Sequence, residues 1–236
     1  MTDASSYCGG ELEIFATVRH WKAYVRQQVS PWLGGRVLEV GAGLGATTGV
    51  LATLPHSDWL SLEPDGLLAE AIRRQVAAGT LPPVAVRHGT VTALDAAERF
   101  DTILYIDVLE HIADDHGELA RAASHLAPGG RLIVLSPAHP LLYSAFDRAI
   151  GHYRRYGRQT LQAAAPAELV LSRLSFLDSV GMLASLANRW LLRKDLPSAA
   201  DIRLWDGVMV PLSRVVDGVF GYRLGKSILA VWHKPA

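Results

Sequence analysis

The apolar positions of this 236-residue chain follow two repeats that alternate along its length. Residues 12–29 place Ile14, Val18, Trp21 and Val25 on one side of a helical repeat, which predicts a helix lying on a partner. Ser30-Pro31 should stop it, because a residue preceding proline avoids helical backbone. Short apolar runs predict strands at 36–40, 59–63, 83–87, 100–106 and 131–136. Between them, 47–54, 66–78 and 117–126 read as helices, and Pro128-Gly129-Gly130 marks a turn before the fifth strand. Strand and helix alternate, the pattern of a parallel sheet covered on both faces. The last third departs from it. Strands are expected at 169–176 and 227–232, with helices at 182–193 and 201–220 between them. In the second stretch Trp205, Val208, Met209, Leu212, Val215, Val216, Val219 and Phe220 recur at helical spacing, and Pro211 should kink or break it. Three readings of it stand: a helical cap over the sheet, a dimer face, or an apolar lid.

Composition narrows the class. Half of the residues are hydrophobic and 19% are charged, ample for a core and too little charge for disorder. Basic and acidic residues balance at 23 each, so the pull on a phosphate backbone expected of a nucleic-acid binder is missing, and no nucleic-acid partner is expected. Cys8 is the single cysteine, so neither an intrachain disulfide nor a cysteine-rich metal cluster can form. The opening MTDASSYCGGELE has no basic and apolar leader pattern, and no apolar run reaches the ~18–20 residues of a membrane span. A cytoplasmic protein is expected.

The first candidate chemistry lies where the first strand meets the first following helix, at Glu39-Val-Gly41-Ala42-Gly43-Leu-Gly45. Glycines there let backbone approach a ligand, outside the carboxyl end of a strand where open α/β sheets bind. Ala46 leaves the dinucleotide spacing GxGxxA possible, so a nicotinamide cofactor stays open on spacing alone. Glu39 inside the strand end favours a cation or amine over a pyrophosphate, and no Lys-Ser/Thr follows to make a P-loop. Glu63 closes the second strand, where a carboxylate can accept from both ribose hydroxyls of a nucleoside. Asp65 reads as the cap of the next helix.

Taken together, VLEVGAGLGATT (37–48), SLEPD (61–65), FDTILYIDVLEHI (100–112) and LAPGGRLIVLSPAH (126–139) resemble the class I S-adenosylmethionine-dependent methyltransferases. The resemblance covers roughly 35–180. It implies a single domain over 1–236 with a Rossmann-like, mostly parallel sheet of seven strands and helices on both faces. An N-terminal helical cover (1–34), a cofactor-binding core (35–180), a helical insertion (181–225) and the last strand (226–236) divide that length, with the seventh strand inserted antiparallel beside the sixth. The implied cofactor is S-adenosylmethionine, leaving as S-adenosylhomocysteine. Glu39, Gly41, Ala42, Gly43 and Gly45 would hold its methionine end, Glu63 and Pro64 its ribose, and Thr90 and Val91 its adenine. Thr90 stands where many family members have an aspartate. Asp107 and Val108 would lie beside the sulfonium.

Methyl transfer needs alignment and desolvation, and a base only when the acceptor loses a proton. The segment 136–156, after the fifth strand, is rich in ligand-binding side chains: His139, Tyr143, Phe146, His152, Tyr153, Arg154, Arg155 and Tyr156. His152 is the first candidate base and His139 the second, with Tyr153 beside them, since histidine titrates closest to neutrality. Arg154 and Arg155 could clamp an anionic acceptor, although pairing with Asp147 competes. His111 follows Asp107 by one helical turn and is a further candidate for the acceptor. The cluster Glu110, His111, Asp114, Asp115, His116 lacks a metal-ligand spacing and reads as a solvated helix cap, so no metal is expected. The expected activity is methylation of an O, N or C atom of a small molecule. Nineteen of the 23 basic residues are arginine, a bias that fits a bacterial secondary or natural-product pathway. The alternatives are a cofactor-binding cyclase or regulatory protein, and an NAD-dependent oxidoreductase. The helical insertion makes a homodimer possible.

Overall fold

In the computed structural model, which describes residues 17–188 and 198–236, seven strands form one sheet. They are β1 (Arg36–Val40), β2 (Asp58–Glu63), β3 (Ala85–His88), β4 (Phe100–Ile106), β5 (Leu126–Pro137), β6 (Val170–Leu177) and β7 (Ser227–His233). Their order is β3-β2-β1-β4-β5-β7-β6; the first five run parallel, and β7 lies antiparallel between β5 and β6. The inner strands β1, β4 and β7 are largely apolar because both faces are covered. Successive side chains point to opposite faces, so Leu38, Leu62, Ile103 and Val134 join one cluster while Val37, Leu104, Ile133 and Leu135 join the other with Trp21, Tyr24 and Val25.

The helix boundaries differ from those the periodicity suggests. α1 is His20–Val29, and residues 12–16 lie outside the described residues. α2 (Thr48–Leu51) is a single turn instead of 47–54, because the backbone of Ala52 already leaves helical geometry. α3 (Gly66–Ala77) starts on Asp65 as expected, whose Oδ1 accepts from the N–H groups of Leu67 and Leu68 at 2.7 and 3.1 Å. α4 is Asp115–Ser124. Pro128-Gly129-Gly130 is not a turn before β5 but a bulge inside it. Phe100 pairs with Leu126 and Thr102 already with Arg131, so the residues between are extruded. Gly129 takes φ +75, and a Cβ on Gly130 would fall 2.8 Å from the Ala127 carbonyl oxygen. Two short helices that the periodicity does not announce, α5 (Ala145–Ala149) and α6 (Arg158–Ala164), follow β5.

Between β6 and β7 lie α7 (Ser179–Ala187), α8 (Ala199–Leu204), a π-helical turn (Trp205–Met209) and α9 (Val210–Val219); positions 189–193 of the expected helix fall outside the described residues. The break in 201–220 is the π turn. Pro211 follows directly on that turn, where it has no N–H to give to the preceding carbonyls, so the expected break falls just ahead of it. The apolar-cap reading holds for Ile202, Trp205 and Val210, which are buried, and for Met209 packed beside them; Val208, Leu212, Val215, Val219 and Phe220 are exposed. What docks this segment is buried acid. Asp206 accepts from the N–H groups of Arg19, His20 and Trp21 at 2.9, 3.2 and 2.9 Å and so caps α1 from 185 residues away. Asp217 accepts from the Tyr24 hydroxyl at 2.7 Å and from the N–H groups of Asp178 and Ser179 at 2.6 and 3.0 Å. Among the described residues no helix is long and apolar enough to cross a membrane.

Removing Asp217 strands three buried donors, whereas removing the Tyr24 hydroxyl frees one acceptor that keeps two partners. In urea unfolding, Asp217→Ala should therefore cost about 3 kcal/mol or more and Tyr24→Phe about 1 kcal/mol; equal losses would mean that the carboxylate does not organise this contact.

Candidate active site

β1 and β4 are neighbours in the sheet, and the chain leaves their carboxyl ends in opposite directions, which opens a crevice between the two loops. On the β1 side, Gly41, Gly43 and Gly45 take φ of +71, +57 and +76. Non-glycine residues are strained there. Gly41 and Ala42 donate to the Leu62 carbonyl at 2.9 and 3.1 Å, which ties the loop to β2. A Cβ on Gly41 would lie 2.7 Å from the Val108 side chain, so this glycine is what lets the two loops approach.

Glu63 ends β2 with its carboxylate buried. Oε2 accepts from the Gly43 N–H at 2.6 Å and Oε1 from the Asp65 N–H at 2.9 Å. Burial raises its pKa, against those backbone hydrogen bonds. A carboxylate accepts about four hydrogen bonds, so about two of its lone pairs are left for vicinal hydroxyls. Glu39 is placed differently from the expectation. Its Oε2 accepts from Thr48 Oγ1 at 2.7 Å, Ser61 Oγ at 2.9 Å and Trp59 Nε1 at 3.0 Å, beneath the loop, and burial raises its pKa.

A cavity of ≈ 1520 Å³ starts at this loop. Gly41, Ala42, Gly43, Glu63, Pro64 and Thr90 line one end, and Asp107 and Val108 line the middle. Gly45 and Val91 are not brought to it: Gly45 backs onto Leu81, and Val91 is buried in the core. The volume exceeds the ~300–1,000 Å³ of a typical single-ligand pocket, which leaves space for two reactants.

Asp107 follows β4 in left-handed backbone, φ +55, with its N–H held by the Leu135 carbonyl at 2.8 Å. Its side chain opens to the cavity and is bonded by the Trp21 side chain. Desolvation by the surrounding protein pushes its pKa up to about 6, moderated by His152 and Lys226 nearby. Such strain and such a shift cluster at functional sites.

Asp147 organises the other end. It accepts from the backbone N–H and hydroxyl of Ser144, both at 2.8 Å, which starts α5; from His152 Nδ1 at 2.9 Å; and from Arg155 Nε and Nη2 at 2.8 and 3.0 Å. Burial opposes its charge, but the bonds from His152 and Arg155 hold it below the usual carboxylate range. Since an ionised carboxylate only accepts, Nδ1 of His152 carries the proton and Nε2 presents a lone pair. That Nε2 lies 3.9 Å from Oε1 of Glu110, a fully buried carboxyl whose Oε2 is bonded by Ser136 at 3.0 Å while Oε1 has no hydrogen-bond partner. The His111 ring meets His152 edge-on at 4.5 Å; burial, and then His152, lower its pKa to about 4. Glu110, His111 and His152 bring potential ligand atoms within 4.8 Å of one another. The solvated-cap reading of Glu110 is therefore corrected: burial, and then Asp107, push its pKa well up and favour the neutral acid.

His152, His111, Phe146, Tyr153 and Arg155 line the cavity; four other candidates do not. His139 stacks on Phe176 at 5.1 Å with Nε2 on the Gly225 carbonyl, and the Tyr143 hydroxyl donates to the His152 carbonyl at 2.6 Å. Tyr156 is buried with its hydroxyl on Asp115, and Arg154 pairs with the same Asp115 at 2.6 Å. Sequence reasoning missed Lys226 and Trp205. Lys226 Nζ sits 3.9 Å over the Trp205 ring and 3.6 Å from Asp178 on the cavity wall, and burial lowers its pKa. Because β7 is antiparallel, its start opens on the same edge as the ends of β1 and β4, a placement that no local motif reveals.

A switch-point crevice, a glycine loop after β1, a carboxylate closing β2 and an antiparallel β7 between β5 and β6 define a class I S-adenosylmethionine-dependent methyltransferase. A family model described as "Methyltransferase domain" matches residues 18–180, and the chain belongs to that family. It is 30% identical over 196 residues to a ubiquinone biosynthesis O-methyltransferase of Sinorhizobium medicae, covering 74% of this chain and 78% of the relative. It is 29% identical over 196 residues to a trans-aconitate 2-methyltransferase of Deinococcus radiodurans, covering 78% and 72%. The N-methyltransferase NodS of Bradyrhizobium japonicum, solved with S-adenosylhomocysteine, shares the fold at a TM-score of 0.55 and 19% identity, over 92% of this chain and 86% of that one. The cofactor is S-adenosylmethionine, and the left-handed glycines with the half-satisfied Glu63 carboxylate fit its nucleoside.

Gly79 takes φ +69 with open space around its missing Cβ, so it isolates the conformational cost that Gly41 combines with a clash. Gly79→Ala should lose about 1 kcal/mol in thermal unfolding. Gly41→Ala should lose more and should also weaken S-adenosylhomocysteine binding in calorimetry, which Gly79→Ala should leave intact.

Proposed function

We propose that the enzyme methylates a nucleophilic O, N or C atom of a small molecule, with His152 receiving the acceptor's proton where one is lost. The observation that carries this reading is the single cavity with the glycine loop and Glu63 at one end and the Asp147-held His152 at the other. The cofactor supplies an electrophilic methyl group on a sulfonium. Glu63 would accept from the ribose hydroxyls, the Gly41–Gly43 backbone and Asp107 would receive the amino-acid end, and Thr90 would flank the adenine. Asp107 lines the cavity between its two ends and answers a positive charge only when ionised. Asp147 fixes the tautomer of His152 and stabilises its protonated form, a dyad that hydrolases also use on a reactive hydroxyl. Phe146 would exclude water, and Arg155, neutralised by Asp147, would act through the loop and not as an anion clamp. The names of the relatives, a ubiquinone biosynthesis O-methyltransferase and a trans-aconitate 2-methyltransferase, support the small-molecule class. A cytoplasmic site and a secondary or natural-product pathway complete the proposal.

Calorimetry should give binding of S-adenosylhomocysteine and none of NADH, with Glu63→Gln at least tenfold weaker; binding of NADH alone would overturn the reading. Affinity for S-adenosylmethionine should fall as pH drops from 7 through about 6, because Asp107 then takes up a proton and loses the charge that faces the cation. Below that point the loss should approach tenfold per pH unit, and Asp107→Asn should abolish the pH dependence.

A further inference from the structure

α8, the π turn and α9 are built inside out. Leu204, Val208, Leu212, Val215 and Val219 recur every three or four residues and stand 49–78% exposed, and Phe220 and Leu224 extend the stripe at 55% and 45%. The acids of the same segment, Asp206 and Asp217, are buried against α1 and the start of α7. A water-facing helix would reverse this arrangement. The exposed charged residues of 198–224 are Arg203, Arg214 and Arg223, all cationic, and Asp201 is half-buried in a capping box with Ser198. Arg214 is tethered to Gln27 on α1 at 3.0 Å.

We propose that this face docks on an anionic lipid surface, with the stripe entering the headgroup boundary and the three arginines meeting lipid phosphates. Three observations favour a membrane over a second copy of the chain. A stable protein interface uses ~20–30 residues a side, and one stripe of seven apolar side chains falls well short. Pairing two copies about a two-fold axis on α9 would oppose arginine with arginine, whereas apolar side chains bordered only by cations match the pattern of interfacial helices on acidic bilayers. The stripe is also continuous with the active site, since Leu204 belongs both to it and to the cavity wall beside Ile202, Trp205 and Met209. An amphiphilic acceptor could then pass from the bilayer into the cavity without crossing water.

The test is sedimentation of the full chain with vesicles of phosphatidylcholine alone and of phosphatidylcholine mixed with phosphatidylglycerol. Binding should require the anionic lipid and weaken as salt rises. Val215→Asp with Val219→Asp should weaken it by about tenfold or more, while S-adenosylhomocysteine affinity and melting temperature stay unchanged because both positions are surface-exposed. Arg214→Glu should weaken it as well. Failure to bind either vesicle, or binding that the paired aspartates leave intact, overturns the proposal. So does a dimer in sedimentation velocity that these substitutions split. None of these outcomes bears on the methyl-transfer reading, which the cofactor titration tests separately.

Discussion

The parallel pairing of Val37–Val40 with Thr102–Tyr105 sets where chemistry can occur in this enzyme. From that seam, β2 and β3 build outward on one side and β5, β7 and β6 on the other, so the loops leaving β1 and β4 must diverge. Their divergence leaves a space that the strands themselves cannot fill. Gly41 and Val108, one from each loop, touch across its floor at a distance that no side chain on Gly41 would permit. The cofactor end, the strained Asp107 and the entrance to the acceptor end all take their positions from this seam.

Around it, the protein uses buried carboxylates as joints. Asp206 and Asp217 join the insertion to α1, Asp147 joins α5 to the His152 loop, and Glu39 ties β2 to the start of α2. Each accepts from three or more donors, which offsets the desolvation that an isolated charge would suffer. Asp107 and Glu110 are different. They accept fewer hydrogen bonds, and both line the cavity.

Much of this was legible in the sequence, and the failures have physical reasons. The five parallel strands stood out because each apolar run is bounded by glycine, proline or aspartate. The start of β5 did not, since Pro128-Gly129-Gly130 looks the same as a turn or as a bulge until its partner strand is known. α5 and α6 are too short to display a repeat. Glu63 was readable from its place at a strand end, whereas Glu39, equally well placed, turns out to be held by Thr48, Ser61 and Trp59, donors dispersed through the sequence. His139 and His152 are indistinguishable as letters; only the contact with Asp147 separates them. The apolar repeat of α9 was visible, but periodicity does not say which way a stripe faces. That was decided by Asp206 and Asp217, whose remote partners no local pattern announces.

One carboxylate, that of Asp147, both begins α5 and orients His152. A helix of five residues has almost no stability of its own, so fraying of its first turn and release of the imidazole become one event. The order of this corner and the orientation of the imidazole are thus coupled through one side chain.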